Sequence, residues 1–184
     1  LIEYTTPTEK LNMPAVANSE CTQLAGEIRN QTRMLLAAAK DDLAQEQAVF
    51  QLLPSRTHIL WLIGHITVSL DYMVSVAIGR TASLPESYHA KFMFGVKPSG
   101  APSDYPPIAQ VIADLNRITE EVATFLENSD DSVLDRMIPV NLPFHMLGPT
   151  ARGLTSKGTF HAGYHTGQIT LLRAAQGLPA GFGL

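Results

Sequence analysis

His161 and His165 stand four residues apart in the stretch FHAGYHTGQITLLRAAQGLP, residues 160–179. In a helix that spacing places both side chains on one face. Two imidazoles so arranged make half of a metal site, half of a catalytic base arrangement, or two polar groups on a solvated surface. Their context narrows the choice. His161, His165, Gln168 and Leu172 follow an i, i+4, i+7, i+11 course, that of a core-facing stripe. A plain helical core would place Leu or Ile there. Burying a polar group unsatisfied costs about 1–3 kcal/mol, so something in the fold must satisfy these rings.

His65 makes the same exception between Leu62, Ile63 and Ile66. Side chains from two facing helices can converge in a bundle core, where metal sites are commonly built. Three neutral imidazoles bind Zn²⁺, Ni²⁺ or Fe²⁺ and leave a coordination position open for water or substrate. The competing reading is three core histidines satisfied by hydrogen bonds. A zinc-protease helix is excluded, because H-E-x-x-H needs Glu after the first His and Ala162 stands there. A di-iron carboxylate site lacks its paired E-x-x-H ligands. His58, seven residues before His65, is expected at a solvated helix end; His89 and His145 fall in loops as exposed polar residues. Gly163 and Gly167, beside the histidine stripe, would permit close helix approach. Tyr164 and Gln168 are candidates to orient the imidazoles, and residues Tyr88 to Phe94 to cover the pocket.

The elements that must position these residues are helical. A first helix is expected from Glu20 to near Lys40, with Leu24, Ile28, Leu35 and Leu36 on one face. A short helical stretch follows around Leu43 to Leu52, and a second long helix runs from Arg56 to Ile78, closed by Gly79. Residues 80–107 form a long connection rich in Pro, Gly and Ser, a lid, binding loop or packing arm. The third helix starts after Pro106 and Pro107 and keeps a 3.6-residue period from Ile108 to Leu126. The fourth begins near Thr155 and ends at Gly177. No alternating strand pattern competes, so the expected class is all-α, a four-helix bundle over residues 20–184 with an N-terminal arm over 1–19.

Composition excludes several alternatives. With 45% apolar and 16% charged residues, the chain has a globular rather than a disordered profile. A net charge of −4 and no basic run argue against a nucleic-acid partner. The single cysteine, Cys21, cannot form an internal disulfide and reads as a small apolar filler. Residues 58–79 are apolar enough to suggest a membrane span, but they carry His65 and Asp71, and an aspartate deep in a span costs ~2.5–3.5 kcal/mol. A buried core helix is expected instead. The first residues lack the charged start, apolar run and cleavage pattern of a signal peptide, and a cytoplasmic location is expected.

The LIGHI segment around His65 and the HAGYHTGQITLLRAAQG segment around His161 and His165 resemble the DinB-like superfamily, the metal-binding four-helix bundles that include the YfiT-type proteins. The resemblance runs from about residue 20 to 178 and is most specific in the fourth helix. It implies an up-down-down-up bundle with a long crossover, and a homodimer. It also implies a divalent metal, zinc or nickel, held by His65, His161 and His165. Characterised relatives include bacillithiol- and mycothiol-dependent transferases and mycothiol-dependent maleylpyruvate isomerase. They imply a low-molecular-weight thiol as co-substrate, activated as thiolate for attack on a small electrophile. Many relatives have Glu after the first histidine of the fourth helix, where this chain has Ala162. The expectation is therefore a metal-dependent thiol S-transferase with a small-molecule substrate. A metal-dependent hydrolase, or a non-catalytic dimeric metal- or ligand-binding bundle with a role in stress, is the alternative.

Overall fold

Ser19 opens the first helix, α1 (Glu20–Ala39), by accepting the Thr22 amide on its hydroxyl at 3.1 Å. The Asp131 carboxylate takes the amides of Glu20 and Cys21 at 3.1 and 2.9 Å. Helix starts leave such donors unpartnered, so these contacts set where α1 begins. The computed structural model describes residues 19–40, 42–142, 144–179 and 181. The expected arm thus lies outside the described residues except for Ser19.

The short helix α2 (Gln45–Ala48) supports a longer one at a distance. The Gln45 side chain accepts the Ile108 amide at 2.8 Å and donates to the Pro106 carbonyl at 3.1 Å, capping α6 (Ile108–Glu127). Between them runs α3 (Ile59–Val68), a π-helical turn Ser69–Val74, and α4 (Ser75–Ile78). Gly79 ends this run at φ +89°, a left-handed conformation open to glycine. Then come α5 (Glu86–Phe92) and, after α6, the final helix α7 (Ala151–Ala175). Beyond these and short 3₁₀ turns, the described residues hold only one isolated bridge, Met137 to Thr150. The class is all-α: beside the four long runs stand α2, within the short helical stretch expected over 43–52, and α5, in a stretch expected to be loop. α7 starts one turn before Thr155, because the Thr150 hydroxyl accepts the Gly153 amide at 3.2 Å.

Helix α1 packs along α6 and α7, and α3 lies against the same two helices. Each contributes an apolar stripe: Ala25, Ile28 and Leu35 from α1, Val111, Leu115, Ile118 and Val122 from α6, Leu154, Ile169 and Leu172 from α7. All ten residues of α3 are buried. The run Ile59–Ile78 is long and apolar enough to cross a membrane by length and composition, yet 78% of its most apolar window is buried inside the protein. Polar core residues are paired, as Thr32 and Thr119 are across α1 and α6 at 2.8 Å. The buried Arg173 guanidinium, on α7, donates to the Ala39 carbonyl at 2.6 Å, closing the end of α1, and to the Asp42 carboxylate at 2.8 Å. Gly163 and Gly167 do not serve close helix approach. Both are exposed, and a Cβ on Gly167 would meet nothing within 4 Å.

The solvated helix end expected at His58 is also overturned. Its ring is fully buried, because the connection after residue 80 folds back over the start of α3. Nδ1 accepts the Trp61 amide at 3.1 Å as a helix cap, and the protonated Nε2 donates to the Ser99 carbonyl at 3.0 Å. Burial lowers its pKa from 6.5 to about 4. Between those values the unfolded chain binds the extra proton and the native protein does not. This contribution to stability is complete above pH 6.5 and is lost as pH falls through about 4. It amounts to roughly 3 kcal/mol. Urea unfolding of the metal-free protein at several pH values should show it, and His58→Asn, which keeps a capping acceptor without a titrating ring, should flatten that part of the pH profile. An equally steep profile in the variant would refute the assignment.

Candidate metal centre

The apolar run of α3 carries His65 into the core, and α7 presents His161 and His165 one turn apart on the facing surface. The three rings meet edge to face. The His65 centroid lies 5.1 Å from that of His161 and 5.3 Å from that of His165, and the α7 pair is separated by 4.5 Å. One ring nitrogen from each lies within 4.8 Å of the others. Bond lengths of ~2.0–2.1 Å at tetrahedral angles put ligand nitrogens ~3.3 Å apart, so the cluster is on the scale of a divalent metal site.

Hydrogen bonds select the nitrogens that face the centre. His65 Nδ1–H donates to the Phe92 carbonyl at 2.7 Å, and His165 Nδ1–H donates to Gln168 Oε1 at 2.6 Å. A neutral imidazole has one proton, so both rings keep an unprotonated Nε2. The Nε2 atoms of His165 and His161 lie 2.8 Å apart. Without metal, one proton on His161 can bridge that gap. A cation would instead receive both lone pairs. Burial lowers the pKa of all three rings, to about 4 for His65 and about 3 for His161, and the mutual repulsion of protonated rings adds to the shift at His161. The rings are therefore neutral at physiological pH, as metal ligation requires. Tautomer, charge and spacing all fit a divalent cation.

The three histidines expected to meet do lie together, and Gln168 is the side chain that accepts from His165. Tyr164, on the outer side of α7, accepts the Gln168 Nε2 hydrogen bond on its hydroxyl at 3.3 Å and is more than half exposed. Ala162 is buried, leaving no carboxylate at that position. The segment expected to cover the pocket is helical rather than loop as far as Phe92: Tyr88 and Phe92 belong to α5 and are buried, while Phe94 is exposed. His89 and His145 are half-buried rather than free on the surface. The first lies with its ring 5.3 Å from Tyr72, and Nδ1 of the second is 2.8 Å from the Ile138 carbonyl. Cys21 is buried and its thiol is pushed up to about 11 by burial and by Asp131, as suits an inert core residue.

Trp61, Gly64 and the Phe92 carbonyl are parts of the site that the sequence did not mark. The Trp61 ring stacks on His65 with centroids 4.6 Å apart and planes 11° from parallel. Its spacing of four from His65 was the available signal. Phe92 acts through its backbone, which leaves no mark in residue type.

The family model of the DinB superfamily matches residues 29–169, well over half of the chain and inclusive of all three histidines. No curated protein matches the chain.

Proposed function

The chain belongs to the DinB superfamily, and we propose that it is a divalent-metal protein that transfers a low-molecular-weight thiol to small electrophiles. The observation that carries the metal reading is the tautomer set. Gln168 and the Phe92 carbonyl each take an Nδ1 proton, so Nε2 lone pairs turn to a common centre. In this reading His65, His161 and His165 hold zinc or nickel. The four long helical runs follow an up-down-down-up path, with 80–107 as the crossover. The protein acts in the cytoplasm as a homodimer on a small-molecule substrate.

His65, His161 and His165 would hold a divalent ion as neutral ligands, and its undiminished charge would lower the pKa of a bound thiol. The protein's own groups do the remaining work. Gln168 and the Phe92 carbonyl fix ring orientation, Trp61 covers one face of His65, and burial keeps the histidines unprotonated. In the transfer, the thiol proton passes to water, a sulfur–carbon bond forms, and the displaced group leaves with its bonding pair. With alanine at 162, no carboxylate beside His161 assists that proton transfer.

Metal analysis of the purified protein comes first, and about one zinc or nickel per chain is the expected result. Thiol consumption is then measured with a chloronitrobenzene electrophile, with bacillithiol and mycothiol as donors and glutathione for comparison. Metal-dependent loss of thiol supports the transferase. Turnover of esters or amides without thiol would replace it with a hydrolase. No turnover, together with a large chelator-induced drop in melting temperature, would leave a structural metal.

A further inference from the structure

The connection over residues 80–107, by its sequence a lid, binding loop or packing arm, holds the helix α5, which buries Tyr88 and Phe92 and meets His65 through the Phe92 carbonyl. We propose that α5 is the positioning element of the metal site: it aims His65 through one backbone carbonyl, and metal binding in turn fastens α5 to α3. The proposal rests on the metal reading above and concerns how tightly the site binds.

Phe92 is the last residue of α5, so its carbonyl has no partner within the helix. Among the described residues its one hydrogen bond comes from His65 Nδ1, at 2.7 Å. The neighbouring Lys91 carbonyl accepts Trp61 Nε1–H at 3.0 Å. Two successive carbonyls at the end of α5 are thus bound by side chains four apart on α3, and the same two side chains stack on each other. Gly64 sets the height at which α5 sits. The fully buried Phe92 ring occupies the space a side chain would fill, and a Cβ on Gly64 would lie 2.4 Å from that ring. Any larger residue must push Phe92, and its carbonyl, away from His65.

A carbonyl partner commits the His65 proton to Nδ1 and restricts ring rotation, so Nε2 is aimed before metal arrives. Losing such a partner commonly weakens metal binding ~10–100-fold. Linkage makes the effect reciprocal: if docking of α5 strengthens binding, bound metal stabilises the docked α5 by the same factor.

Two variants test this. Gly64→Ala displaces Phe92, and Trp61→Phe keeps a ring over His65 but removes the donor to Lys91. Zinc affinity is read by competition with a chromophoric chelator, and site geometry by the visible spectrum of the cobalt-loaded protein. We expect Gly64→Ala to bind zinc ~10–100-fold more weakly and Trp61→Phe about 10-fold more weakly, with altered cobalt bands in both. Zinc should slow hydrogen exchange at amides 88–93 in the wild type and less so in the variants. If Gly64→Ala fails to fold, Trp61→Phe decides. Wild-type zinc affinity in a folded Trp61→Phe, or exchange at 88–93 indifferent to zinc, would overturn the proposal. A further readout needs no metal. Nitrogen-15 shifts of the His65 ring in metal-free protein should report a single Nδ1–H tautomer in the wild type and a mixture in the variants. If the wild type binds no zinc, the metal reading fails, and the tautomer comparison alone decides whether α5 positions the ring; identical tautomers would sink it.

Discussion

Replacing His165 by alanine should lower divalent-metal affinity by more than ~100-fold, since loss of a ligand must cost more than loss of a ligand's partner. His165 contributes both a lone pair and the anchor to Gln168, which fixes its ring at 2.6 Å. Gln168→Ala should have the lesser effect, about 10-fold, because the ring stays but loses its fixed tautomer. The measurement is metal content after dialysis plus competition titration. Full metal occupancy in His165→Ala would exclude this site. The pH dependence adds an independent check. Free histidine ligands compete with protons below about 6.5, whereas burial lowers His65 to about 4 and His161 to about 3. Affinity should therefore persist through mildly acidic pH and fail only well below 6.5. Failure already at pH 6.5 would show that the rings are not buried as described.

Asp71→Ala should destabilise the protein by about 3–5 kcal/mol and leave the metal affinity of the folded fraction unchanged. Asp71 lies in the π turn within an otherwise apolar run, and its carboxylate is fully buried. It accepts the Leu84 amide at 2.8 Å, the Ser83 amide at 3.0 Å and the Arg80 guanidinium at 3.0 Å. These contacts draw the chain after Gly79 back along the helix it has just left. Arg80 also donates to the Ser75 hydroxyl at 2.8 Å and pairs with Glu121 on α6. Removing the carboxylate leaves the Ser83 and Leu84 amides without their acceptor, the latter in a buried residue, and takes one anionic partner from the mostly buried Arg80 guanidinium. For a chain of this size the melting temperature should drop by roughly 10 °C. Chemical unfolding of the metal-free protein gives the free energy directly. A loss under about 1 kcal/mol would mean that water already reaches this carboxylate. The contrast with His165→Ala matters, because one variant should lose stability and the other metal.

Local spacing carried much of this architecture. The 3.6-residue period over 108–126 is the buried stripe of α6, and the expected start of α1 at Glu20 is where the helix begins. The same logic marked His65, His161 and His165 as polar residues on apolar faces, and a helix face depends only on neighbours three or four positions away. Even so, bare glycines on α7 were misread, since spacing cannot say whether another helix lies opposite. Connections were misread for a related reason. Pro, Gly and Ser around YHAKFMF signalled loop, but Tyr88 and Phe92 find a core to bury in once α3 and α6 are in place, and α5 forms there.

From its sequence alone, then, the chain determined its helical elements, its family likeness and which three imidazoles could meet, because each is written in side-chain type and short-range spacing. Tertiary structure decided how those imidazoles are held. The carbonyl that orients His65 belongs to a residue 27 positions away, and the buried ring of His58 is closed over by Ser99, 41 positions away. Within a helix only the last turn leaves carbonyls unspent, so a carbonyl free to orient a ring comes from a helix end, as at Phe92, or from a connection, as at Ser99, and only packing decides which ring it will meet.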